Sequence, residues 1–293
     1  MGLQYPRAAG NNNQPNGVYT PVLYSLTMLK IYMEQAMVPQ IVNFNWEGEI
    51  KKFGDMVKIR RDPDAEVYDY VIGQDLQTQA VEDKEEQLLI NKGVYYNVSV
   101  DDVDMKQNDV DWMSKFSENA TKRTKLKVDT AVLGSVYADA PAANILPDRT
   151  VTPNNIPELI VSAGVALDES FCPPEDRYMV VPKWFKGHLQ LNPNFNDADK
   201  MGDGKASILK TGLIGTLNGF DIFATSNLAV VGGKTQVIFG GRTAITFATQ
   251  MVKTQKIQSE RAFAEKMRGL QIYGFKTVEP THLGKVGVVK GTL

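Results

Sequence analysis

Cysteine is nearly absent: Cys172 is the only one in 293 residues. An intrachain disulfide is excluded, and so is a thiolate zinc site, which needs two or more cysteines. Histidine is equally scarce. His188 and His282 are the only two, which leaves little for imidazole-based metal or acid–base chemistry. No sign of charge dominates, since 32 Lys and Arg stand against 34 Asp and Glu, a net charge of −2. A protein that binds nucleic acid over its whole surface carries a basic excess, so that class is set aside. No stretch approaches the ~20 apolar residues of a membrane-spanning helix. The opening MGLQYPRAAGNNNQPNG has no apolar signal-peptide core, and Pro6 stands where a myristoylation signal needs Ser or Thr. The expectation is a cytoplasm-made protein with no membrane partner. At 43% hydrophobic and 23% charged residues the chain reads as globular, and its length suggests about two domains.

What is present is a set of unequal parts. Residues 1–20, rich in Asn, Gly and Pro, read as an extended arm. The apolar, Met-rich stretch 21–42 reads as a short helix ending before Pro39. Met56-Val57-Lys58-Ile59-Arg60 reads as a strand. Residues 88–100 alternate cleanly: Leu88, Ile90, Val94, Tyr96, Val98 and Val100 share one face, interrupted by Lys92. Period 2 over this length marks a half-buried strand.

Between these strands, residues 62–86 hold nine acids (Asp62, Asp64, Glu66, Asp69, Asp75, Glu82, Asp83, Glu85, Glu86) and one base, Lys84. A structureless loop of this length is unusual inside a compact domain. The reading is a projecting hairpin with an acidic tip that becomes ordered against something else; a solvated acidic loop is the alternative. A long helix is predicted over 108–133. Asn108 or Asp109 stands at its cap, and Met113, Phe116, Ala120, Thr124, Val128 and Ala131 form its apolar stripe. Trp112, Leu126 and Leu133 mark a second face. Its middle is basic, with Lys115, Lys122, Arg123, Lys125 and Lys127 against Glu118. A rod with two apolar faces needs cover from more than one side.

After Pro141 the texture is mixed α/β. Residues 153–169 read as a capped helix with Pro157 in its first turn, 178–181 as a buried strand stopped by Pro182, and 183–191 as a helix. Residues 193–212 read as an exposed loop, 220–225 and 235–239 as strands, 242–250 as a helix, and 270–289 as strand-like. The fold class expected is α+β.

Candidate chemistry fails position by position. Cys172, in Phe171-Cys172-Pro173-Pro174, has no neighbouring base to activate it. Residues 201–207 (MGDGKAS) miss the phosphate-loop pattern, with Asp199 and Ala206 at the positions that need Gly and Ser or Thr. Asn196, Asp197, Asp199 and Asp203 depart from the EF-hand order at Met201. Gly215-Thr216-Leu217-Asn218-Gly219 opens a strand, not a helix. Asp62, Asp64 and Glu66 lie beside Pro63 and read as incidental carboxylates. No catalytic residue, cofactor or metal is expected. What remains is geometric: the acidic excursion (Asp62, Asp64, Glu66, Asp83, Glu85, Glu86) complements the basic rod flank (Lys115, Lys122, Arg123, Lys125, Lys127). In a homo-oligomer one chain supplies both, head to tail.

Several motifs, in order, resemble the major capsid proteins of tailed bacteriophages, the Hong Kong-type capsid fold. These are residues 45–50 (NWEGEI) before 54–57 (GDMV), then 92–104 (KGVYYNVSVDDVD), the helix from Asp109 to about Asp139, 215–222 (GTLNGFDI) and 272–280 (IYGFKTVEP). The resemblance implies an N-terminal arm over 1–43, an extended loop over 44–100, a spine helix over 101–140, an axial domain over 141–240 and peripheral closing strands over 241–293. It implies a shell of pentamers and hexamers enclosing double-stranded DNA through weak non-specific contacts, found in the virion and assembled in the host cytoplasm. With about 43 residues before the loop, a separate scaffolding protein or none is expected, together with a portal. No spacing singles out a Lys–Asn pair for cross-linking. An encapsulin-like nanocompartment of the same fold is the alternative, and a hydrolase built on Cys172 a remote third.

Overall fold

The computed structural model describes residues 34–46, 56–60, 65–70, 72–73, 75, 78–80, 85–102, 112–191, 213–259 and 263–291. From Tyr32 to Leu293 the chain forms one unit. The arm 1–20 and residues 21–33 of the helix expected before Pro39 lie outside the described residues. The described part opens with a four-residue helix α1 (Val38–Ile41) that has Pro39 in its first turn. That position needs no N–H partner, so Pro starts the helix rather than stopping it. Met37, Val38, Ile41 and Val42 are buried, so the last residues of the expected arm are core.

The alternating stretch is two strands. β1 (Met56–Arg60) pairs antiparallel with β2 (Glu85–Leu89), from Met56 opposite Leu89 to Arg60 opposite Glu85. The chain then steps at Ile90 and Asn91 into β3 (Lys92–Asp101), which joins a different sheet. The alternation survives the step: Leu88 and Ile90 are buried, and Val94, Tyr96, Val98 and Val100 are half-buried. Helix α2 (Trp112–Val136) runs 25 residues, about 37 Å at 1.5 Å per residue. The Asn108 and Asp109 caps lie outside the described residues. Phe116, Ala120 and Thr124 line its packed face, and Val128, Val132, Leu133 and Val136 are buried in its second half.

Seven strands build the body: β4 (Ile145–Val151), β5 (Arg177–Pro182), β6 (Leu213–Leu217), β7 (Phe220–Thr225), β8 (Val230–Val231), β9 (Lys234–Gly241) and β12 (Leu283–Lys290). Their order is β4-β12-β9-β5-β7-β6, with β8 paired to β9. Helices α3 (Ile156–Glu169) and α4 (Lys183–Gln190) cover one face; Ile156, Leu159, Ile160, Phe185 and Leu189 pack there against Met179, Ile222, Phe239 and Val288. On the other face Tyr178, Val180, Phe223 and Ile238 meet α1 and the C-terminal half of α2. Strand β4 carries Pro147, which a sheet accepts at its edge, where β4 lies.

The third sheet, β10-β11-β3, is built from β10 (Ile245–Gln258), β11 (Ala264–Thr277) and β3, all antiparallel. Here one expectation is overturned: of residues 242–250, read as a helix, 242–244 form a turn and 245–250 open a 14-residue strand. Ala244 to Ala248 are buried in succession, which erases any period, while Ile245, Thr246 and Thr249 supply the β-branched side chains a strand favours. Gly274 in β11 lets the hairpin cross closely, because a methyl there would collide with the Leu89 carbonyl. Among the described residues no helix is long and apolar enough to cross a membrane.

Candidate assembly surfaces

The hairpin β1–β2 carries its own charge pairs. Lys58 Nζ lies 2.5 Å from Glu85 Oε2, across the ladder, and this bond holds the Glu85 carboxyl below the usual carboxylate range. Lys276 on β11 pairs with Glu86. Two acids read as partners for another copy are therefore engaged within the chain, where the register of β1 against β2 and the crossing at Gly274 bring bases to them. Glu66 is exposed at the tip; it accepts the Tyr68 hydroxyl, and its backbone N–H donates to Gln79 Oε1 at 2.8 Å. Asp62, Asp64 and Asp83 lie outside the described residues. Around Glu66 the tip leaves large apolar side chains in water: Val67 is 94% exposed and Ile72 91%, with Tyr68 and Tyr70 also exposed.

The cations of α2 are placed as a surface. Lys115, Lys122, Arg123, Lys125 and Lys127 are all exposed, and none has an ion-pair partner among the described residues. Arg123 and Lys127 border a groove of about 200 Å³ floored by Tyr96, Phe116 and Ala120, where the Tyr96 and Phe116 rings meet edge to face at 6.5 Å. On the opposite face of the β10-β11-β3 sheet, Tyr95, Leu270 and Lys253 share one row, and Asn97, Arg268 and Gln255 the next. This face forms an open groove of about 410 Å³, with Arg268 donating to Gln255 at 2.9 and 3.1 Å.

One buried charge escaped the sequence reading. Asp129, within the apolar second half of α2, is fully buried. Its Oδ1 accepts the backbone N–H groups of Met37 at 2.8 Å and Val38 at 2.7 Å, and its Oδ2 accepts the Asn227 side-chain amide at 2.9 Å. Burial nonetheless holds its carboxyl above the usual range. Glu34 extends the tie, accepting Ser226 N–H at 2.9 Å and pairing with Lys183 at 3.1 Å. An acid flanked by Val128, Val132 and Leu133 was the available signal.

Elsewhere the chemistry is muted. Cys172 is buried, and desolvation pushes its thiol up, away from the thiolate a nucleophile needs. His188 is fully buried with neither ring nitrogen bonded among the described residues. His282 meets Thr243 Oγ1 at 3.2 Å. Among the described residues no cluster of His, Cys, Asp or Glu could hold a metal ion. The loop 193–212 lies outside them.

A body sheet packed on both faces, a long helix, an exposed hairpin and a three-stranded ribbon form a recognisable whole. Residues 85–286, about two thirds of the chain, match the family described as phage capsid protein. The chain belongs to the phage capsid protein family. A chain from Mycobacterium phage Che8 superposes with a TM-score of 0.78 at 23% identity, over 92% of this chain and 97% of that one. The capsid structure of the cyanophage P-SCSP1u gives 0.75 at 15% identity, over 96% and 97%. The capsid of Ralstonia phage GP4 gives 0.69 at 12%, over 94% and 97%. At these identities the likenesses establish the fold. No curated protein matches the sequence. The expected resemblance and fold class hold, and the capsid protein is a structural, shell-forming subunit of a virion.

Proposed function

We propose that this capsid protein closes, as pentamers and hexamers of itself, into an icosahedral shell around the double-stranded DNA of a tailed phage, and that it performs no catalysis. The observation that carries the proposal is the hairpin tip, where Val67, Tyr68, Tyr70 and Ile72 stay exposed among the described residues. In this reading residues 44–100 are the extended loop lying over a neighbouring copy, 101–140 the spine helix, 141–240 an axial domain around the local symmetry axes and 241–293 the peripheral closing strands, with 1–43 as an arm. The acids of the excursion between β1 and β2, Asp62, Asp64, Glu66 and Asp83, set register in this reading against Lys115, Lys122, Arg123, Lys125 and Lys127 of the neighbour. Exposed pairs of this kind contribute only about 0–1 kcal/mol each, so apolar contacts hold the assembly. A scaffolding protein and a portal complete the partners, the host cytoplasm is the site of assembly, and DNA is held through weak non-specific contacts.

The test is electron microscopy of particles from the native source, with their nucleic-acid content measured. Closed shells containing DNA support the proposal; shells filled with a protein cargo and no DNA contradict it. Replacing Lys115, Lys122 and Lys125 with Glu tests the charge pairing. Loss of assembly by a folded subunit is expected, and normal shells would show the cations to be a solvated face.

A further inference from the structure

Strand β3 is an unguarded edge. It pairs with β11 alone among the described strands, in unbroken register from Lys92 opposite Tyr273 to Asp101 opposite Ala264. From Gly93 to Val100 it holds no charged residue and no proline, and Val94, Tyr95, Tyr96, Val98 and Val100 favour the extended chain. Such an edge offers a row of backbone N–H and C=O groups to any strand that meets it, and proteins blunt it with proline, charge, a bulge or shortness. The other described sheet edges are blunted in those ways. β4 carries Pro147, Asp148 and Arg149, and β6 is five residues long. β10 has Lys253, Lys256 and a register shift between Thr249 and Met251, and the β1–β2 hairpin carries Lys58, Arg60, Glu85 and Glu86.

This edge opens onto a shaped surface. The groove between β3 and α2 draws its sheet residues from β3 alone, and it takes in Tyr95 from the far face, so it runs over the edge itself. Phe116 and Ala120 give it an apolar wall, and Arg123 and Lys127 border it as exposed cations. The occupant that suits it is an extended segment bringing both acidic and apolar side chains. A second β3 does not suit it. That strand brings no acid between Gly93 and Val100, and it sets the Arg123 and Lys127 of two copies against each other.

The hairpin tip is such a segment. Residues 65–70 are all exposed and have no ladder partner among the described residues. Glu66-Val67-Tyr68-Asp69-Tyr70 contains no proline or glycine, and Val67, Tyr68 and Tyr70 favour strands. In an extended chain Glu66, Tyr68 and Tyr70 fall on one side and Val67 and Asp69 on the other. Whichever side turns toward α2, an acid is presented to Arg123 and Lys127 and an apolar side chain to Phe116 and Ala120.

We propose that residues 66–70 of one copy add to β3 of the next, as a fourth strand on its three-stranded β10-β11-β3 sheet. The proposal rests on the shell reading and names the backbone ladder by which the loop holds its neighbour. The test places proline singly at Val67, Tyr68 and Asp69 in the full-length chain. Only alternate residues of a ladder turn their N–H toward the partner strand, so proline harms pairing at those and is accepted between them. The protein concentration needed for association, measured by sedimentation, is expected to rise about tenfold either for Tyr68→Pro alone or for Val67→Pro and Asp69→Pro together. The melting temperature of the dissociated subunit is expected to stay the same in all three. Arg123→Glu is expected to weaken association by a similar factor. Unchanged association in all three proline variants overturns the proposal, and so does an equal loss in all three, which a side-chain contact without a ladder produces. A lowered melting temperature also overturns it, since the tip then serves its own chain, and unchanged association of Arg123→Glu overturns the choice of this edge. Wild type that stays monomeric at high concentration, even with a scaffolding partner supplied, contradicts the shell reading itself.

Discussion

Strands β5 and β3 differ in one respect that organises the whole molecule. All six residues of β5 are buried, while none of the ten in β3 is, half of them being partly covered and half open to water. The body sheet around β5 finishes its core within one chain. The ribbon around β3, and the hairpin that precedes it, leave one face and one tip unfinished. The lesson is that stability and assembly reside in different parts of the capsid protein, so substitutions should separate them.

The largest effect belongs to the body. Phe239 is fully buried between β9 and the helices, and Phe239→Ala is expected to cost about 3–5 kcal/mol in denaturant unfolding. Next comes the buried acid of α2. Asp129→Ala leaves the N–H groups of Met37 and Val38 without an acceptor and is expected to cost about 2–4 kcal/mol. Asp129→Asn, which keeps an acceptor in place, should cost less than about 1 kcal/mol. Equal losses for both would mean the tie matters through charge alone.

A smaller effect is pH-dependent. Burial, and then the charge of Lys290, hold the His188 imidazole below its ordinary range. The folded protein therefore takes up this proton later than the unfolded chain. The corresponding stability is present above the unfolded pKa of about 6.5 and is lost as pH falls below it. His188→Leu should flatten the decline of thermal stability between about pH 7 and pH 5. The smallest effect belongs to the ribbon. Tyr95, 77% exposed, should change unfolding by no more than about 0.5 kcal/mol when replaced by Ala, although it lies on the open groove.

The same contrast decides what could be read from the sequence. β3 was legible because a half-buried strand writes its pleat into alternating residues, and α2 because its packed stripe keeps helical spacing. β10 was misread, since Ala244 to Ala248 are buried on both sides and leave no period. β4 went unseen, with Pro147 and Asp148 inside it acceptable only because it is an edge. The pairs Lys58–Glu85 and Lys276–Glu86 depend on strand register and on a crossing at Gly274, which composition does not carry. Asp129 looked like any helix acid until the N–H groups of Met37 and Val38 were placed against it.

Amide hydrogen exchange, read residue by residue in the dissociated subunit and again in assembled particles, tests the division most directly. The account predicts slow exchange throughout β5 in both states, and fast exchange at residues 65–70 and 78–80 and at the β3 amides that point away from β11 in the subunit, slowing on assembly. Equal exchange of the tip and of β3 in the two states would show that these surfaces are never covered, and would contradict it.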